Sequence, residues 1–109
     1  MWNSMKDTTP NKYTALWQSL CPNIVSAVKK GECDIQLTQE DLKQGGGDRQ
    51  SYTFRVEFVD GTMSRRSGTA VGRDLQKILH HSPEFQRVAK GKTVIIRLDS
   101  DFKLIIKVE

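Results

Sequence analysis

His80 and His81 are the only histidines in the chain. Neighbours on a helix project about 100 degrees apart, so this pair lacks the i, i+4 spacing with which two helical imidazoles share a metal ion. Neither has a Cys or carboxylate companion at ligand spacing, and no metal site is expected. Gly91-Lys92-Thr93 has the ending of a phosphate-binding loop, but Gln86 stands where the first glycine belongs. The triplet also follows a helical pattern and precedes a strand pattern, the reverse of what cradling a phosphate at a helix N-terminus requires.

Asp99-Ser100-Asp101 lacks the glycine and distal glutamate of a calcium loop and reads as a turn whose side chains cap their own backbone. The glycine run Gly45-Gly46-Gly47 lacks the G-x-G-x-x-G spacing of a dinucleotide cradle and leads into a strand, so it reads as a flexible loop. No nucleophile elbow accompanies the serines. No catalytic residue and no cofactor are assigned, and the chain is expected not to be an enzyme.

The remaining chemistry is cationic. The chain carries 17 Lys and Arg against 13 Asp and Glu, a net charge of +4. Residues 1–50 are balanced at six of each sign, so all the excess lies in residues 51–109, with eleven basic and seven acidic side chains. Such asymmetry suggests an anionic partner and says nothing about fold. Arg65 and Arg66 stand side by side just past the Asp60-Gly61 pair, a strong signal for a two-residue type I′ hairpin.

Stepping outward from these residues, the elements that must carry them follow from periodicity. Leu16, Trp17, Leu20, Ile24, Val25 and Val28 paint one stripe of an N-terminal helix, kinked or broken at Pro22 and stopped at Gly31. Cys33, Ile35 and Leu37 alternate with Asp34, Gln36 and Thr38, as in a strand with one buried face; Thr38 and Asp41 then have capping-box spacing for a single helical turn. Tyr52, Phe54, Val56 and Phe58 form the apolar face of a second strand, which the hairpin returns.

Val71, Leu75, Ile78 and Leu79 resume helical spacing, Ser82-Pro83 opens a second short helix, and Gly91 closes it. Two β-prone runs flank the Asp99–Asp101 turn. The expectation is a single α+β domain over 13–109, preceded by a loose arm over 1–12. Its element order is α-β-β-β-α-β-β: an antiparallel sheet of about five strands with the 70–90 helical segment on one face.

Register then sets where the cations project. A two-residue turn at Asp60-Gly61 opposes Val59 with Thr62, Phe58 with Met63, Val56 with Arg65 and Arg55 with Arg66. That puts Arg55 and Arg66 on the outward face, while Arg65 needs a bulge or a place at the sheet rim. A three-residue loop at Asp99-Ser100-Asp101 opposes Arg97 with Lys103, Ile95 with Ile105 and Thr93 with Lys107. Arg55, Arg66, Arg97, Lys103 and Lys107 would then merge into one basic face offset only by Glu57, with Arg65, Arg73 and Lys92 as rim contributors.

Guanidinium forks and displaced counterions suit the phosphate backbone of DNA or RNA, and the first expectation is a small module binding nucleic acid or another polyanion. The alternative is a protein-interaction module, an inhibitor, adaptor or homodimer subunit, using Ile95 and Ile105 or the C-terminal strand as an edge. The longest apolar run is three residues and no secretory leader is evident, so a cytoplasmic protein without a membrane span is expected. In that setting Cys21 and Cys33, which lack C-x-x-C spacing, read as buried free thiols.

Overall fold

The stripe beginning at Leu16 folds as one helix, α1 (Thr14–Lys30), which ends where Gly31 turns left-handed at φ 101°. The structure, a computed structural model, describes residues 13–43 and 52–109. The expected arm over 1–12 and the glycine run lie outside the described residues. Pro22 does not break α1, contrary to one expectation. Pro22 and Gln18 are both exposed, so the carbonyl that proline leaves without a donor lies on the wet side of the helix.

After α1 come β1 (Glu32–Gln36), the single turn α2 (Gln39–Lys43), β2 (Phe54–Val59), β3 (Thr62–Met63), α3 (Ala70–His80), α4 (Pro83–Ala89), β4 (Thr93–Leu98) and β5 (Lys103–Val108). Local chemistry sets most boundaries. Thr38 and Asp41 close a reciprocal capping box, each side chain accepting the other's N–H. Thr69 caps α3 by accepting the Gly72 N–H, and Ser82 caps α4 ahead of Pro83 by accepting the Phe85 N–H. Asp60 (φ 57°) and Gly61 (φ 79°) supply the two positive φ values a type I′ turn needs.

The five strands form one antiparallel sheet in the order β1-β5-β4-β2-β3. Its inner face presents Phe54, Val56, Phe58, Val94, Ile96, Leu98, Leu104 and Ile106, all buried. Helices α1, α3 and α4 pack together and cover that face. Trp17 anchors the layer: it is fully buried, meets Phe54 edge-on at 6.0 Å and donates its indole N–H to the Val71 carbonyl at 3.1 Å. Phe85 of α4 meets Phe58 in the same way at 4.9 Å.

Two expected registers change. β3 stops at Met63, and Ser64 makes the last contact by donating to the Glu57 carbonyl. Because β3 ends there, Arg66 does not reach a place opposite Arg55; β4 lies along the other edge of β2 and sets Arg97 opposite Arg55 on that side. In the last hairpin the three-residue loop is Ser100-Asp101-Phe102: Asp99 donates to the Lys103 carbonyl and Phe102 adopts the left-handed φ of 64°. The Asp99 carboxylate also accepts the Asp101 and Lys103 N–H groups, which pins the turn one residue later than expected.

Arg97 therefore opposes Ile105 instead of Lys103, and Ile95 opposes Lys107 instead of Ile105. Sliding the register by two residues keeps every side chain on its expected face, because the strand period is two. β5 is also not an edge: it lies between β1 and β4.

Candidate polyanion-binding surfaces

All packed helices lie on one side of the sheet, so its outer face carries the outward residues of five strands. Two rows cross it. In one, Asp34, Ile105, Arg97 and Arg55 stand side by side across β1, β5, β4 and β2; in the other, Glu32, Lys107, Ile95 and Glu57 do. Lys103 stands beside Gln36 in a third. Arg55, Arg97 and Lys107 are exposed, Lys103 half-buried. Arg55, Ile95, Arg97, Ile105, Lys107 and Glu109 line a shallow hollow of about 250 Å³.

The face thus gathers four of the five cations expected there. Arg66 is the exception, because β3 ends three residues before it and it leaves the sheet in the 64–69 loop. Arg65 lies in that loop too and is exposed, so it does not stand inward beside Val56. Arg73 is half-buried on α3 and donates from Nη1 to the Ser67 carbonyl at 3.3 Å. Lys92 is half-buried in the turn between α4 and β4, its carbonyl accepting the Asp60 N–H.

More acid reaches the outer face than the second half of the sequence suggests. Glu57 approaches Arg55 at 3.9 Å, a long contact between exposed groups that contributes little. β1 brings Glu32 and Asp34, and Glu109 lies at the hollow. These carboxylates are unevenly spread. Strands are about 4.8 Å apart, so β1 lies roughly 10 Å from β4 and 14 Å from β2, at or beyond the screening distance in physiological salt. Lys107 has Glu32 directly beside it, whereas Arg97 and Arg55 face each other, and like charges so opposed cost a few tenths to about 1 kcal/mol.

The outer face also carries apolar groups. Ile95 and Ile105 are half-buried diagonal neighbours, and Val59 is 45% exposed. Asp99 behaves as a turn residue, its carboxylate capping the backbone of its own loop. The Lys103 and Asp101 amides hold the Asp99 carboxyl below the usual carboxylate range, against the opposing pull of desolvation, and the nearby Lys103 and Arg97 charges add to the lowering. His80 and His81 contact edge to face at 5.1 Å. Cys21 and Cys33 are free and half-buried.

No helix among the described residues is long and apolar enough to cross a membrane. Compared with models of known families, with curated proteins and with solved structures, the chain matches none.

Proposed function

We propose that this chain is a non-enzymatic module that binds nucleic acid, or another polyanion, through the outer face of its sheet. The observation that carries the reading is the direct opposition of Arg55 and Arg97 beside Ile105, with Lys107 across the hollow and Lys103 further along β5. Two arginines opposed in register on neighbouring strands can bring two guanidinium forks to one set of phosphate oxygens, and binding would convert their repulsion into attraction for a shared anion. No aromatic side chain stands among the outward residues of the five strands, so bases have no stacking platform there and sequence preference would be weak.

A second reading has its own support. Ile95, Ile105 and Val59 lie among charges of both signs, a composition that also fits a protein interface with apolar centre and polar rim. Because β5 is interior, such a partner or a second copy of the chain would dock on the face and not extend the sheet at that strand.

The test is a fluorescent-oligonucleotide titration of the protein and its Arg55→Glu/Arg97→Glu variant at low ionic strength, with sedimentation equilibrium on the same samples. Binding by the parent and its loss in the variant support the polyanion reading. An oligonucleotide bound equally by both rejects the sheet face as the contact, and a tight dimer that buries Ile95 and Ile105 favours the second reading.

A further inference from the structure

The adjacent arginines that leave the sheet are held by an unusual amount of buried polar structure. Gln76 of α3 is 2% exposed. Its Oε1 accepts the Ser67 N–H at 2.8 Å, and its Nε2 donates to the Arg65 carbonyl at 2.6 Å. Ser67 is itself buried, and its Oγ accepts the Thr69 N–H. Gly72 lies directly beneath, where a methyl group would collide with Ser67 Oγ. Arg73 closes the set from the other side by donating to the Ser67 carbonyl.

Burying an amide is unfavourable unless both its ends are bonded, and here both are bonded to the backbone of the 65–67 segment. The segment so fixed projects two exposed arginines that form no ion pair among the described residues. Arg73 and Lys77 follow on α3 at i, i+4, which places them on one side of the helix, one turn apart. Between Asp60 and Glu84 the only carboxylate in the sequence is Asp74. It is 8% exposed and accepts the Tyr13 N–H, so it lies beneath the positive surface and not on it.

We infer that the 64–69 loop and the exposed side of α3 form a second phosphate-binding surface, preorganised by Gln76, in which Arg65, Arg66, Arg73 and Lys77 contact the backbone of a nucleic acid. Holding the loop before binding removes an ordering cost that a free loop would meet on association. Four cations distributed over a loop and a helical turn, three exposed and Arg73 half-buried, match a chain of phosphates better than a single small anion. α3 packs on the covered side of the sheet, so this surface is distinct from the outer face. The inference rests on the polyanion reading but not on the sheet as its site.

The experiment measures a short fluorescent DNA duplex against the full chain and three variants over a range of salt concentrations, with polyglutamate as a competing anion. Arg66→Glu/Lys77→Glu alters exposed side chains and is expected to weaken binding at least tenfold and to make the salt slope shallower by about two, one phosphate contact per residue removed. Gln76→Met keeps the charge and frees the loop; the expected outcome is weaker binding with the parent's salt slope. If Arg66→Glu/Lys77→Glu binds like the parent, the inference fails. Loss in Arg55→Glu/Arg97→Glu under that condition leaves the sheet reading standing alone. Loss only in Arg66→Glu/Lys77→Glu upholds the inference and removes the sheet face. A parent protein that prefers polyglutamate overturns the inference and leaves the polyanion reading with an anion other than nucleic acid, and one that binds neither polymer overturns both.

Discussion

Asp74 shows how a single buried group couples the fold to the charge above it. Burial is the largest influence on its carboxyl and raises its pKa, while the Tyr13 amide and the Lys77 and Arg73 charges pull it down. The ionised form is therefore less favourable in the folded chain than in the unfolded one. This group's contribution to stability is complete below the ordinary carboxylate range and is lost as pH rises through the raised value. Asp74→Asn retains an oxygen for the Tyr13 N–H and removes the charge. The melting temperature of this variant should gain on the parent's as pH rises from about 4 to 7, with little difference at the acid end. A variant less stable by the same amount at every pH would show that the group's value lies in its geometry alone. Little of this is legible in the sequence: Asp74 stands between Arg73 and Leu75 on an amphipathic helix, and only the return of α1 across α3 encloses it.

The elements were more legible than their partners. Alternation gave the faces of β1, β2, β4 and β5 because a strand exposes every second residue whatever lies beside it. The Asp60-Gly61 turn was equally local, and Gly61→Ala tests it. Its φ of 79° is costly for any side chain, and a Cβ there would lie 2.7 Å from Gln86 Oε1. A loss of about 1–2 kcal/mol in denaturant unfolding is expected, and an unchanged midpoint would mean the turn relaxes to another type. Where β3 ends was not local. Extending the register from the Asp60-Gly61 turn carries the hairpin on to Arg66, but Gln76, on a helix formed later in the chain, bonds Ser67 in the space that Gly72 leaves, and the backbone is off the sheet there. The second hairpin slipped for a reason within the turn itself: Phe102 took the left-handed position usually left to glycine while the Asp99 carboxylate capped the turn.

At the scale of the whole molecule, strand order decides the electrostatics. Reading each hairpin separately assembles a strongly basic face, but β1 returns from the balanced first half of the chain to lie against β5 and brings Glu32 and Asp34 with it. Pairing between strands about seventy residues apart in sequence leaves no trace in local periodicity. The resulting charge map has an arginine pair over the central strands and a loop-and-helix cluster on the covered side. The central claim is that these cations displace counterions from a polyanion, and the salt dependence of oligonucleotide binding by the full chain tests it most directly. Four phosphate contacts, the number either surface alone would make, predict a plot of log affinity against log salt with a slope of about −3.6 for a DNA duplex, and steeper if both surfaces engage. A slope near zero, or no binding at low salt, would contradict the account.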